Sequence, residues 1–365
     1  MSWSPDYPYN DLPLLPPKAD LETVPIFKAL VPARAELSGL NEALVSLPNP
    51  EVFVNSLALL EAQASSEVEN IVTTTDDLFR ADSYAADASP ATREALRYKT
   101  ALFHGQDHIQ NRAGLLTVGL AAEVCSEIRG TITTLRCAEG TYIGNPVTGK
   151  PIYTPPAGKQ LLETKLQNWA EFVNSETELD PLVQMAVAHY QFEAIHPFDD
   201  GNGRTGRILN VLMLVARQLL QAPILYISKY IIRHKNEYYR LLNAVTEHGA
   251  WDEWVVYMLH AVESTARSTR LKIKSIQQLQ AQFIEQLTVD TGTHYPANFS
   301  EVLFSQPYCR VKDVIEGCSV SRPTATKYLN ALVDAGMLEI HTAGRDKLYV
   351  NTSFMSILRA AESDV

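Results

Sequence analysis

HPFDDGNGRTGR, residues 196–207, places one histidine, two aspartates, three glycines, an asparagine and two arginines within a single short segment. The run before it, PLVQMAVAHYQFEAI, and the run after it, RILNVLMLVARQLL, are apolar and of helical length. The segment is therefore a loop between two helices, and its glycines and Asn202 fall where the second helix starts. There the first backbone N–H groups have no intrahelical partner and the positive end of the helix dipole converges on the same point. Glycine allows the close backbone approach that a phosphate needs. Arg204 and Arg207, one turn apart, add forked donors. Two arginines at a helix start oppose the dipole, so an anionic ligand would relieve a local conflict. Asp200 suits a Mg²⁺ ion bridging phosphate oxygens, because Mg²⁺ keeps several waters and takes only one or two carboxylates. His196 titrates near neutrality and can accept a proton from an attacking hydroxyl. Together these groups make a nucleotide phosphate site with its own general base, suited to phosphate-ester transfer.

At 365 residues the chain suits two domains or one large domain with an appendage. Its 31 basic and 42 acidic residues, a net charge of -11, argue against non-specific coating of nucleic acid or anionic membrane. The start, MSWSPDYPYNDLPLLPPKAD, lacks a basic region followed by an apolar run, and no stretch reaches transmembrane length. A soluble, cytoplasmic protein with no membrane association is expected. Cys125, Cys137, Cys309 and Cys318 fall in no metal-binding spacing and read as reduced thiols.

The pattern is mainly α. The proline-rich first twenty residues read as extended chain. A first helix is expected from Pro32, a second over PEVFVNSLALLEAQA, and a third over SSEVENIVTTTDDLFRAD capped by Ser65 or Ser66. Further helices are expected at 90–106, 114–129, 158–175, 181–195 and 204–220. TYIGNPVTGKPIYTPPAG, residues 141–158, reads as a β-hairpin. One or two long helices over 251–287 read as a spacer. After Pro296 the order is helix, short helix, a turn at Gly317, a longer helix over 321–335 and two strands around TAGRD, which is the order of a winged helix-turn-helix.

The loop resembles the HxFx(D/E)GNGRxxR motif of Fic domains, matching at His196, Phe198, Asp200, Gly201, Asn202, Gly203, Arg204 and Arg207. The likeness extends over about residues 90–250, and the chain as a whole resembles Fic proteins that carry an inhibitory helix before the core. It implies a Fic-type helical core with a hairpin flap, and transfer of AMP from ATP to Tyr, Thr or Ser hydroxyls of target proteins, with this chain itself as one candidate target. His196 would be the base and Asp200 the Mg²⁺ ligand. Gly201, Asn202, Gly203, Arg204, Thr205, Gly206 and Arg207 would hold the nucleotide, Arg207 taking the γ-phosphate. Phe198 would anchor the loop from the core side. Ile152 and Tyr153 on the hairpin would align the target segment by strand addition. Tyr238 would line the adenine pocket, with Tyr239 as its neighbouring competitor. SSEVEN resembles the inhibitory motif (S/T)xxxE(G/N), with Ser65, Glu69 and Asn70 in its specified places; a carboxylate against Arg207 would take donors that the γ-phosphate needs.

The implied division is 1–89 for an N-terminal extension with the inhibitory helix at about 65–80, 90–250 for the catalytic core, 251–295 for the spacer and 296–365 for the winged helix. A homodimer is expected from the resemblance. Asp199 reads as a loop carboxylate, His189 as a core or surface histidine, and Thr73 to Thr75 as plain helix rather than self-modification sites. Arg322, Lys327, Arg345 and Lys347 permit DNA contact by the last domain. Six basic against six acidic residues over 299–351 nevertheless favour a protein contact. The alternatives to AMP transfer are AMP removal, transfer of another phosphate-linked group on the same fold, and a nucleotide-sensing DNA-binding regulator.

Overall fold

The computed structural model describes residues 3–47, 50–84, 88–111, 114–137, 140–144, 148–290, 295, 298–343 and 346–360. The body is helical and is organised around α7 (Pro181–Ile195) and α8 (Asn202–Ala216). Almost every residue of α7 is buried, the mark of a helix apolar on all sides at the centre of a core. Asp180 caps its start, accepting from the Leu182 N–H at 2.8 Å, and Pro181 occupies the first turn. Around this pair stand α4 (Pro90–Asn111), α5 (Val118–Arg129), α6 (Lys159–Asn174) and α2 (Pro50–Val68). The hairpin joins β1 (Ile143–Gly144) to β2 (Pro151–Tyr153), antiparallel, as the sequence predicts. The proline-rich start lies across it: the Tyr9 N–H donates to the Thr154 carbonyl at 3.0 Å and the Leu15 N–H to Asn168 Oδ1 at 2.8 Å.

Several expectations need correction. The first helix, α1 (Val24–Val45), starts before Pro32: Pro25 is the first-turn proline, and Pro32 sits inside the helix. Its missing N–H costs one helical bond, which is offset by burial of Ala29, Leu30, Ala33, Leu37 and Leu40 along the face packed on α11 (Trp251–Asp290). The third helix does not begin at Ser65 or Ser66. Those serines lie in the last turn of α2, which ends in a left-handed residue at Asn70 (φ 62°), and α3 (Thr75–Tyr84) starts five residues later. The inhibitory helix at about 65–80 is thus two elements with a turn between them. Residues 251–287 form one helix, and its first half is no free spacer: Trp254, Val255, Met258, Leu259 and Val262 are buried against the body. The segments α9 (Ser228–Arg233) and α10 (Lys235–His248) complete that side and were not anticipated.

The last part contains α12 (Phe299–Phe304), β3 (Tyr308–Cys309), α13 (Val311–Cys318), α14 (Arg322–Asp334), β4 (Glu339–Ala343), β5 (Asp346–Val350) and α15 (Thr352–Arg359). The strands form one antiparallel sheet in the order β3-β5-β4. The turn between α13 and α14 is made by Ser319 (φ 54°), not Gly317, which stays inside α13. Ser321 caps α14. Arg322, Lys327 and Lys347 are exposed, whereas Arg345 lies outside the described residues.

Candidate active site

The centre of the site is the link from α7 to α8. α7 ends on His196 itself, held in a left-handed conformation (φ 49°, ψ 60°) with its N–H on the Phe192 carbonyl at 3.0 Å. His196 as a whole is half-buried at the loop's edge, with its ring Nδ1 shielded from solvent. Phe198 is fully buried against Phe192 and fixes the loop from below, as expected. The Asn202 side chain closes the loop: Oδ1 accepts from the Phe198 N–H at 2.9 Å and Nδ2 donates to the Phe198 carbonyl at 2.7 Å. The side chain thus holds the loop together, and the Asn202 backbone N–H is among those at the open start of α8. Gly201, left-handed at φ 84°, delivers the chain into α8.

The head of α8 carries the site's charge. Arg204 is buried, with Nη1 on Glu94 Oε1 of α4 and Nη2 at 3.6 Å from Asp200 Oδ2. Arg207 is buried one turn on; its Nε donates to Ser65 Oγ at 2.8 Å, and its Nη2 to the Ser65 carbonyl at 2.8 Å and to Glu69 Oε1 at 2.9 Å. A Cβ on Gly203 would lie 2.4 Å from Glu69 Oε1 and 3.0 Å from Arg207 Nη1. The Glu69 carboxylate therefore rests on the bare backbone at the start of α8, where an anion would be received. Thr205 and Gly206 face the buried side, Gly206 against Glu193 and Phe192, so their side-chain positions serve helix packing rather than a ligand.

Glu69 is set in place by the way α2 stops. The Ile71 N–H donates to the Ser66 carbonyl at 3.0 Å and the Asn70 N–H to the Glu67 carbonyl at 2.9 Å, the paired bonds of a Schellman ending with Asn70 as the left-handed residue. Asn and Gly are the residues that adopt this conformation most readily, which is a physical reason for either one to follow the glutamate. Lys235 Nζ holds the Asn70 side chain at 3.1 Å.

Burial and the nearby Arg136 guanidinium lower the His196 pKa to about 4, so the imidazole is neutral at physiological pH and has a free lone pair. Burial works against the Arg207 charge, but Glu69, with Tyr238, Tyr98 and Glu193 around it, holds its pKa above the ordinary value. Behind Arg207, burial pushes Glu61 and Glu193 up to about 7. Glu61 receives hydrogen bonds from Ser228 Oγ and from Tyr98 Oη at 3.2 Å.

Asp200 is exposed, its side chain 65% open, at the mouth of the loop. Among the described residues no group of three His, Cys, Asp or Glu side chains could hold a metal alone. One exposed carboxylate beside an anion-receiving helix start fits a Mg²⁺ ion whose other ligands are phosphate oxygens and water. Asp199 is exposed, in line with its reading as a loop carboxylate.

The hairpin borders the cleft. Ile152 is half-buried, and Tyr153 is buried with its Oη donating to the Ala194 carbonyl at 2.8 Å. Ile143, Ile152, Glu193, Tyr239, Leu242 and Asn243 line an apolar recess between the hairpin and α10. Of the adjacent pair Tyr238 and Tyr239 it is Tyr239 that faces it, together with Tyr153 and Tyr190. Tyr238 is buried among Trp254, Tyr257 and His189, its hydroxyl 2.8 Å from His189 Nε2. The adenine-lining assignment of Tyr238 is corrected accordingly. His189 is a core histidine, stacked on Trp254 and neutral, because burial lowers its pKa to about 3.

Sequence reasoning missed Glu94, Glu61, Tyr98 and Arg136. Glu94 and Tyr98 lie on α4, Glu61 on α2 and Arg136 between α5 and the hairpin, and no spacing in the chain joins them to the loop.

Three family profiles match the chain. The Fic/DOC family N-terminal profile covers residues 27–107, the Fic/DOC family profile covers 120–214 and so the whole loop, and the protein adenylyltransferase SoFic-like C-terminal domain covers 279–354. A protein adenylyltransferase fic-1 of Caenorhabditis briggsae is 42% identical over 65 residues, 17% of this chain and 13% of that protein. A protein adenylyltransferase Fic of Drosophila yakuba is 38% identical over 111 residues, 30% of this chain and 21% of that protein. The match thus spans only 13% to 21% of the length of these relatives. The crystal structure of a Fic family protein from Desulfovibrio desulfuricans G20 shares the fold, with a TM-score of 0.53 at 20% identity over 92% of this chain and 98% of that one.

Proposed function

From a chain that carries a Fic domain between a Fic/DOC N-terminal domain and a SoFic-like C-terminal domain, we propose a protein adenylyltransferase that moves AMP from ATP to a hydroxyl of a protein target. The single observation that carries this reading is a neutral imidazole at the end of α7 beside the open start of α8, where Arg207 is already engaged by a carboxylate in the place of an anion. The triphosphate lies along the N–H groups of residues 202–204, with its γ-phosphate on Arg207. His196 takes the proton of the target Tyr, Thr or Ser hydroxyl. The oxygen attacks the α-phosphorus in line, the bond to the β-bridging oxygen breaks and pyrophosphate leaves. Mg²⁺, held by Asp200 and the phosphates, would supply charge neutralisation on the leaving side. The apolar recess beside Tyr239 suits the adenine, and the hairpin edge suits an extended target backbone.

In this reading Glu69 is a brake. While it holds Arg207, the γ-phosphate lacks its forked donor and the triphosphate cannot settle with its α-phosphorus toward His196. Incubation with ATP labelled on the α- or the γ-phosphate tests the proposal. Glu69→Gly should transfer α-label and no γ-label to protein, and the double variant with His196→Ala should transfer neither. Equal α-labelling by both variants would sink it. The exposed Arg322, Lys327 and Lys347 keep duplex binding by the C-terminal domain as a second reading, which predicts salt-dependent retention of DNA by the full chain.

A further inference from the structure

Arg136 belongs to the irregular segment between α5 and the hairpin, and no motif marks it. Its side chain is nonetheless buried, and its donors reach three backbone carbonyls from two parts of the fold. Nε donates to the His196 carbonyl at 2.7 Å; Nη2 donates to the Ile195 carbonyl at 3.2 Å and to the Pro156 carbonyl. Its own N–H donates to the Pro197 carbonyl at 2.9 Å. Ile195 and His196 end α7, Pro197 begins the loop, and Pro156 lies three residues past β2. A cation at the negative end of a helix dipole is favourably placed, and its fork satisfies carbonyls that the helix leaves unpaired.

The need for such a clamp follows from the conformation of His196. Helices that end in a left-handed residue usually place Gly or Asn there, because a Cβ is strained in that region. Here the residue is a histidine, so its surroundings must fix the turn. The carbonyl bonds from Arg136 do that, and the Pro156 bond connects the same guanidinium to the hairpin. A second tie runs in parallel, from Tyr153 Oη to the Ala194 carbonyl.

We infer that Arg136 is a positioning residue for the reaction proposed above: it holds the left-handed turn at His196 and fastens that turn to the hairpin exit, so that a target strand on the hairpin and the imidazole serving it move as one body. The inference rests on that reaction for its purpose, but not for its physical content. The charged groups around the imidazole are Arg136, Glu69 and Asp200, with the Glu193 backbone in hydrogen-bond contact. Burial and Arg136 disfavour the imidazolium, whereas Glu69 and Asp200 favour it, so loss of the guanidinium should raise the imidazole's titration midpoint.

The test uses the full chain in the Glu69→Gly background, with Arg136→Gln and Arg136→Lys. Two measurements are made: kcat and KM for ATP, and nucleotide-free NMR titration of the His196 ring, assigned by comparison with His196→Ala. Arg136→Gln should lower kcat at least about tenfold with KM for ATP nearly unchanged, since the α8 head is untouched, and should move the His196 midpoint upward. Arg136→Lys keeps the charge and loses the fork; it should recover part of kcat and leave the midpoint near the parental value. Parental kcat in a folded Gln variant would overturn the inference, as would equal losses in both variants with an unmoved midpoint. Should the Gln variant not fold, the Lys variant decides: reduced kcat with an unmoved midpoint supports the clamp, and parental kcat refutes it. An inactive Glu69→Gly parent would defeat the transferase reading alone, because the ring titration needs no nucleotide and still reports on Arg136.

Discussion

Replacing Glu69 by glycine removes one charge-assisted hydrogen bond, the 2.9 Å contact between Arg207 Nη2 and Glu69 Oε1. Hydrogen bonds to charged groups contribute about 1.5–3 kcal/mol, and Glu69 is about one-third exposed, which places this pair toward the lower part of that range. A γ-phosphate must displace this contact before it reaches the guanidinium. Removing the contact should therefore raise the productively bound fraction at subsaturating ATP by about tenfold, with roughly a hundredfold as the upper bound. Arg207 keeps its two bonds to Ser65, so the variant retains a buried guanidinium in a defined orientation. Glycine is also tolerated at the end of α2, where Asn70 makes the left-handed turn and terminates the helix. The assay is the initial rate of α-phosphate label appearing on protein, at several ATP concentrations below saturation. Glu69→Gln should fall between the parent and Glu69→Gly, since a neutral amide oxygen still accepts from Arg207. A Glu69→Gly rate within about twofold of the parent, in a variant that melts as one cooperative unit, would refute the reasoning.

Further outcomes are expected. Asn202→Ala leaves the Phe198 N–H and carbonyl without their partners in a buried loop; it should cost about 2 kcal/mol or more in urea unfolding and abolish transfer. His196→Ala should lower transfer by about a hundredfold to ten-thousandfold while leaving nucleotide affinity, read by calorimetry, close to parental. Activity should fall as pH drops toward about 4 and His196 becomes protonated. Stability carries two opposed pH terms. His189 and His196 have folded pKa values below the unfolded one, so their contribution is present above about 6.5 and is lost as pH falls toward their folded values near 3 and 4. Glu61 has a folded pKa of about 7, above its unfolded value, so its contribution is present below about 4.5 and is lost as pH rises through about 7. Glu61→Gln should therefore gain stability relative to the parent between pH 5 and pH 8, measured by urea midpoints; a constant difference would contradict the burial of that carboxyl. EDTA should stop transfer, and Asp200→Asn should raise the Mg²⁺ concentration needed for half-maximal rate.

The loop and its flanking helices were legible because local rules and tertiary packing agree there. Asp180 and Pro181 announce the start of α7, and the glycines of the loop mark where α8 begins. The hairpin was legible for the same reason. Pro32 misled because proline usually begins a helix, and only the packing of α1 on α11 keeps it in the interior of one. The end of α2 was read as the start of another helix because Ser65 and Ser66 resemble caps; the left-handed turn at Asn70, which decides the matter, leaves no periodic signal. Tyr238 and Tyr239 are adjacent, and helical rotation alone decides which one meets the core, so spacing could not separate them. Arg136, Glu94 and Glu61 act on the site through contacts between distant parts of the chain. A single sequence carries no mark of such contacts.

The most direct measurement is a crystal structure of the Glu69→Gly variant soaked with ATP and Mg²⁺. The expected result is a γ-phosphate on the Arg207 guanidinium, a triphosphate along the first N–H groups of α8, and an α-phosphorus turned toward the His196 imidazole. A triphosphate bound away from α8, or one whose α-phosphorus faces away from His196, would contradict the proposed chemistry.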